Sequence, residues 1–162
     1  SACTSLETLN LPERVESLGR CLIEKTAISS ITIPKNVKYS TNVSSSYGVL
    51  VNVNTLKTVT FEEGMEAIPS CIMASGSYTS YIDKIILPSQ LKKIGSSAFY
   101  NCGKITQMEV PKTITEIGGS AFENCTGLKS FRMNYNGTVE YKAEIGNLRV
   151  YIIRNTESAG KS

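Results

Sequence analysis

The 162-residue chain contains no histidine, no tryptophan and a single aspartate, Asp83. Without histidine, nucleophilic catalysis of the Ser-His-Asp or Cys-His kind has no base. With one aspartate, calcium loops of the DxDxDG type have no ligands. A paired-carboxylate mechanism would have to use glutamates, and the one cluster, Glu62-Glu63-Glu66, reads as a solvated turn. Gly118-Gly119-Ser120 lacks the spacing of a phosphate-binding loop. Zinc would find neither histidine nor a CxxC pair. These absences predict a protein that is not an enzyme and that carries no cofactor and no metal.

Two further shortages concern partners. No apolar run approaches the ~20 residues of a membrane span, so direct insertion into a membrane is not expected. The 17 basic residues are scattered, only Lys92 and Lys93 are adjacent, and the net charge is +3. No basic stripe for nucleic acid forms from that pattern. With 41% hydrophobic and 19% charged residues, 1–162 has the balance of a single globular domain.

What the chain does have is a repeat. Residues 82–104 read IDKIILPSQLKKIGSSAFYNCGK and residues 105–127 read ITQMEVPKTITEIGGSAFENCTG. Pro88 answers Pro111, Gly95 answers Gly118, Ala98-Phe99 answers Ala121-Phe122, and Cys102 answers Cys125, each at an offset of 23. A fixed period of this length marks a solenoid, whose units bury their apolar faces only against their neighbours. Units begin at residues 6, 28, 56, 82, 105 and 128, giving about six coils. Ala2-Cys3-Thr4-Ser5-Leu6 matches Asn124-Cys125-Thr126-Gly127-Leu128, so the chain is expected to open in mid-repeat, truncated at its N-terminus. An uncovered first coil would leave Leu6, Leu9 and Leu11 without a neighbour and open to self-association.

Each unit opens with an alternating segment: Leu9-Asn10-Leu11, Ile31-Thr32-Ile33, Val59-Thr60-Phe61, Met108-Glu109-Val110. Period two with β-branched residues predicts a strand, ended in most units by Pro12, Pro34, Pro88 or Pro111. Stacked coils place these strands in one parallel sheet. The middle of the unit is Leu18-Gly19, Ile68-Pro69, Ile94-Gly95 or Ile117-Gly118, where glycine suits a turn of positive φ. SSAF and GSAF then predict one turn of α or 3₁₀ helix. Phe99 and Phe122 should be buried and stacked on consecutive coils. In the tail, residues 134–154, Val139 to Ile145 and Leu148 to Ile153 flank Gly146-Asn147, the pattern of a β-hairpin that would cap the last coil. Residues 155–162 are expected to fray.

The pattern LPxxLxxIGxxAFxxCxxL resembles the BspA-like leucine-rich repeat of bacterial and protist surface proteins. Units four and five match it at nearly every position, unit one in its first two thirds, and units two and three mainly in the strand. The resemblance implies an α/β repeat solenoid, right-handed, with its sheet concave and an irregular, one-turn helical convex side. It also implies a non-catalytic adhesion or recognition module, secreted or at a bacterial cell surface. The partner would be a protein or glycan on a host or neighbouring cell. A structural spacer with no ligand of its own is the alternative.

Cys3, Cys102 and Cys125 share one position in the unit, and Cys21 and Cys71 share another. Positional equivalence predicts small buried core residues. Cys102 and Cys125 come within disulfide span on adjacent coils, but stacked equivalent side chains run parallel and do not point at each other. Asn42, Asn124 and Asn136 open N-glycosylation patterns, which in a bacterial protein would be coincidental.

Two sets of residues are candidates for binding. The insertions at 39–54 and 74–81 are rich in Ser, Tyr, Gly or Asn and fall in neighbouring coils. That composition gives contact area at low entropy cost. Tyr39, Tyr47, Tyr78 and Tyr81 are the candidate contact residues, with Tyr47, Tyr78 and Tyr81 expected in one patch. They could instead plug coils that lack the Ala-Phe pair. A weaker candidate is the polar strand face, with Thr8, Thr58 and Lys84 in one row and Thr32, Thr60, Glu109 and Arg132 in the next.

Overall fold

A computed structural model describes residues 4–128, 130–133, 141–145 and 148–152. Parallel pairing joins equivalent segments of neighbouring units. The opening segments form β2 (Ser30–Ile33), β4 (Thr58–Phe61) and β6 (Lys84–Ile86), paired in that order, and β8 (Gln107–Val110), paired with β10 (Ser130–Met133). The register places Ser30 beside Thr58 and Thr58 beside Lys84, and places Thr32 beside Thr60. It likewise places Glu109 beside Arg132.

A second parallel ladder runs through the middle segments. It consists of β1 (Ser17–Gly19) on β3 (Tyr39–Thr41), and of β5 (Ala67–Ile68), β7 (Lys93–Ile94) and β9 (Glu116–Ile117). Coils two to five carry a strand in both ladders, so the chain is a parallel β-solenoid of about four complete turns. Between the ladders the chain bends through a four-residue turn. The N–H groups of Val37, Leu91 and Ile114 donate to the carbonyls of Pro34, Pro88 and Pro111. Met65 does the same to Glu62 in coil three, where Gly64 supplies φ 93°. Proline suits the turn because its carbonyl is the only group that must bond there.

Three expectations need correction. The sheet is not single: the middle segments pair as well. No helix occurs among the described residues, so the α/β class with a helical convex side does not apply. The physical reason lies in the backbone. Ser97 (φ 53°) and Asn101 (φ 61°) are left-handed and bracket Ala98-Phe99-Tyr100, and Ser120 (φ 57°) and Asn124 (φ 59°) bracket Ala121-Phe122-Glu123. Three residues between two left-handed ones cannot start a helix. Finally, Gly95 and Gly118 are not positive-φ residues; positive φ falls two positions later in each unit. Their glycine identity comes from close stacking. A Cβ on Gly95 would strike the backbone N of Ser70, and one on Gly118 the backbone N of Ser96.

The core runs between the ladders. Phe99 and Phe122 stack with centroids 5.2 Å apart and planes 21° apart, and Phe61 meets Phe99 edge-on at 6.3 Å. All three are essentially buried. Coils that lack Ala-Phe fill the same space with aliphatic residues. The Met73 N–H donates to the Ala98 carbonyl, just as Phe99 N–H donates to Ala121, so Ile72-Met73 stands where Ala98-Phe99 stands. Ile23, Val49 and Leu50 are buried in coils one and two.

Cys102 and Cys125 are buried free thiols, and their Sγ atoms donate to the Met73 and Phe99 carbonyls at 3.4 and 3.1 Å. Cys21 and Cys71 differ from the core residues expected: both are free and only half-buried. Cys3 lies outside the described residues. Burial pushes the Cys125 thiol from 9.0 up to about 11, and pushes Cys102 higher still with Cys125 adding to it. The folded chain therefore keeps these protons after the unfolded chain has lost them. Stability is full below pH 9.0 and falls as the pH rises toward 11. Urea unfolding midpoints should drop between these pH values in the native chain and drop less in a Cys102→Ala/Cys125→Ala variant; equal slopes would contradict the assignment.

Coil one is the least regular. Residues 7–11 form no strand, Leu9 and Leu11 are half-buried, and Leu6 is 37% exposed. Amide hydrogen exchange should be faster over 6–11 than over 105–110, where β8 is paired. Equal protection in a monomer would contradict this. The tail contains the expected hairpin, β11 (Tyr141–Ile145) antiparallel to β12 (Leu148–Ile152), with Ile145 opposite Leu148. Its fit over the last coil and the state of 155–162 lie outside the described residues.

Candidate functional site

The two insertions are tied to each other by backbone. Gly76 N–H donates to Ser45 O at 2.9 Å and Ser77 N–H to Ser46 O at 3.1 Å. Gly48 N–H donates to Ala74 O at 2.8 Å. Gly76 is needed for that approach, since a Cβ there would stand 2.9 Å from Ser45 O. Ser44 and Tyr47 close a tight turn by exchanging N–H to carbonyl bonds of 3.0 and 3.1 Å. On the other insertion, the buried Ser75 hydroxyl donates to Tyr78 O at 2.6 Å, and Asn101 Nδ2 donates to Ser75 O at 2.8 Å. Both loops are thereby fixed against the coils, which lowers the ordering cost of any contact they make.

This fixing brings the tyrosines together. Tyr47 and Tyr78 meet edge to face, centroids 5.8 Å apart and planes 71° apart. The Arg20 guanidinium of coil one sits 5.2 Å from the Tyr47 ring centre. Desolvation raises the Tyr78 phenol above its ordinary range, and the nearby Glu24 carboxylate adds to the shift. Glu24 is itself held by Asn52, whose Nδ2 donates to Oε1 at 2.6 Å. Tyr78 and Tyr81 line one open groove of about 540 Å³, together with Lys25, Thr26, Asn54 and Thr55. Lys57 Nζ lies 5.3 Å from the Tyr81 ring centre.

Tyr47 of coil two and Tyr78 and Tyr81 of coil three thus lie on one face, beside Arg20 and Lys25 of coil one. Tyr39 does not join them. It is 60% exposed on β3, beside Ser17 of β1. Tyr47 and Tyr78 are half-buried and Tyr81 is exposed, while the core positions of coils two and three are filled by Val49, Leu50, Ile72 and Met73. The core positions of those coils are thus occupied without the tyrosines.

Five residues of this face went unread in the sequence: Arg20, Lys25, Asn52, Asn54 and Lys57. Only Asn52 carried a signal: it stands four before Leu56, as Asn101 and Asn124 stand four before Ile105 and Leu128, and all three are left-handed. The Lys25 N–H donates to the Asn52 carbonyl, so the two meet on consecutive coils.

The strand face is a plainer surface. Thr32, Lys84 and Glu109 are exposed and Thr58 and Thr60 half-buried on their paired strands. Arg132 belongs to β10, opposite Glu109. Thr8 is exposed but lies outside any strand, lining a smaller groove of about 230 Å³ between residues 8–13 and β2. Among the described residues no group of three or more His, Cys, Asp or Glu could hold a metal ion, and no helix is long and apolar enough to cross a membrane.

Solved structures resemble this chain. A leucine-rich repeat protein from Eubacterium ventriosum is 25% identical over 87% of this chain and 41% of its own, with a TM-score of 0.50. A leucine-rich cell surface protein from Faecalibacterium prausnitzii is 17% identical over 78% of this chain and 45% of its own, with a TM-score of 0.43. The chain thus spans less than half the length of either. No curated protein matches it. The family model of the BspA type leucine-rich repeat region matches residues 1–77 and 50–145, with six copies. The two matched ranges cover most of the sequence, and the chain belongs to the BspA-type leucine-rich repeat family.

Proposed function

We propose that the chain is a non-catalytic recognition module of a secreted or cell-surface protein, and that it binds a protein or glycan partner through the tyrosine face of coils one to three. One observation carries this reading. Tyr47 and Tyr78 belong to different coils, yet they meet at 5.8 Å on a surface that no core position requires. Regular positions in a repeat protein are committed to packing, so a binding site falls where the repeat deviates. Interfaces concentrate their energy in such aromatic and arginine residues. Family membership supports the surface location and the adhesive role. Self-association through coil one belongs to the same proposal: Leu6 is exposed and Leu9 and Leu11 half-buried, and a second copy packed on them would appear as a concentration-dependent dimer in sedimentation.

The test is a glycan and peptide array probed with the native chain and with the Tyr78→Ser/Tyr81→Ser variant. The proposal expects saturable hits that the variant loses, on the order of tenfold or more in affinity. Hits that survive the substitutions would move the site elsewhere. Silence across the arrays would favour a structural spacer.

A further inference from the structure

We propose that the groove lined by Tyr78 and Tyr81 is a site for an acidic sugar residue, one bearing a carboxylate on a pyranose ring. This rests on the recognition reading above and deepens it. The volume of about 540 Å³ falls within the ~300–1,000 Å³ of small-ligand sites. Three features of the lining select the chemistry.

The first is aromatic. Two tyrosines line the groove together with two small apolar residues, Ala27 and Val53. A sugar ring has an apolar C–H face that packs on an aromatic ring, while its edge carries hydroxyls. The second is the polar complement. Thr26 and Thr55 hydroxyls already donate to the Ile23 and Ile28 carbonyls, each at 2.8 Å, so their oxygens are left to accept. Asn54 makes no side-chain hydrogen bond among the described residues and offers both a donor and an acceptor. Sugar hydroxyls need that mixture. The third is charge. Among the described residues no Asp or Glu lines the groove and Lys25 has no carboxylate partner. Lys57 does not line the groove, but its Nζ lies 5.3 Å from the ring centre of Tyr81, which does. The nearest acid named above, Glu24, is engaged by Asn52. A neutral sugar would leave both ammonium groups unused. A carboxylate on the ring would meet them while the ring packs on tyrosine.

The experiment uses the whole chain and three acidic oligosaccharides, namely tetragalacturonate, a hyaluronan tetrasaccharide and 3′-sialyllactose. Methyl-esterified tetragalacturonate and lactose are the uncharged controls, and hexaglutamate is the acidic peptide control. Titration calorimetry gives affinity, and amide chemical shifts give location. The proposal expects at least one acidic sugar to bind saturably with shifts at Thr26, Asn54 and Thr79. Affinity should fall about tenfold or more when the carboxylate is esterified or removed, and by a similar factor in Lys25→Gln. It should also weaken at 0.5 M salt. Lys25 is exposed, so Lys25→Gln should fold normally, and its melting curve checks this. Three results would overturn the inference: no binding by any of the three, equal binding by the uncharged controls, or equal binding by hexaglutamate. If the sugars fail but Tyr78→Ser/Tyr81→Ser still abolishes an array hit, the recognition reading stands and the ligand class is wrong.

Discussion

Phe99→Ala lowers the unfolding free energy by about 3–5 kcal/mol. Phe99 is fully buried and is the middle ring of three, stacked on Phe122 at 5.2 Å and meeting the edge of Phe61 at 6.3 Å. Removing it leaves a hole that neither neighbour can close without leaving its own coil. Part of the loss is the transfer energy of the ring, and the rest is the cavity and the two aromatic contacts. For a chain of this length the loss corresponds to a melting-temperature drop on the order of 10 °C. Phe122→Ala should show the same direction. A cycle of the two single variants and the double variant should give a coupling of about 0.5–1.5 kcal/mol, since stacked rings lose one shared contact. A drop of a degree or less in Phe99→Ala would mean that the repeat register is wrong.

Gly118→Ala and Gly119→Ala should part ways although they are neighbours. The added methyl at 118 would fall on the backbone N of Ser96 in the preceding coil, 2.6 Å from its Cα and 2.7 Å from the Gly95 carbonyl carbon. No side chain can swing aside there, so the coils themselves must separate. That separation stretches the bond from Gly118 N–H to Ile94 O, now 2.7 Å, and strains the β7–β9 pairing just before it. A cost of about 1–3 kcal/mol is expected. A methyl at 119 meets nothing within 4 Å. Gly119→Ala should therefore be neutral or stabilising by up to about 1 kcal/mol through the unfolded chain. Chemical denaturation of the two variants side by side checks this, and equal effects would refute the close-approach reading. Gly95→Ala should follow Gly118→Ala, because its methyl would strike Ser70 in the same way.

Much of the fold was legible in the sequence because stacking turns a period into a geometry. The 23-residue offset sets Phe99 over Phe122, and the unit starts at 28 and 56 set Thr32 and Thr60 in one row. The second ladder was less visible. Its strands are only two or three residues long, too short to show alternation, and Ser40 occupies the place that Leu18 fills in coil one. The helical turn was expected from Ala98-Phe99, yet it is ruled out by left-handed backbone at Ser97 and Ser120, residue types that give no warning of it. Glycine was assigned the wrong duty for the same reason: the sequence marks that no side chain is tolerated but not whether torsion or contact forbids it.

The candidate site was legible only in its aromatic half. Composition flagged the insertions at 39–54 and 74–81, and three of their four tyrosines share a face. Tyr39 does not, because it lies on β3 before the inserted loop leaves the ladder. The cations Arg20, Lys25 and Lys57 lie in otherwise regular stretches, where nothing local distinguishes them from solvated surface. Their meaning comes from a neighbour one or two coils away. The three described surface ion pairs, Lys38 with Glu16, Lys92 with Glu66 and Lys93 with Glu116, also link consecutive coils. All are well exposed, and each should be worth no more than about 1 kcal/mol.

The account divides labour between an aliphatic and phenylalanine core that holds the coils and a tyrosine face left over for recognition. The unfolding free energy of Tyr78→Ser/Tyr81→Ser, measured by denaturant titration, tests that division directly. The ring pair of Tyr78 with Tyr47 is worth about 0.5–1.5 kcal/mol and the exposed cation contact of Lys57 with Tyr81 about 0.5–1 kcal/mol. The double variant should therefore lose no more than about 2.5 kcal/mol, with an unchanged denaturant slope. A loss of about 3 kcal/mol or more, equal to that of Phe99→Ala, would show that the tyrosines belong to the core and would contradict the account.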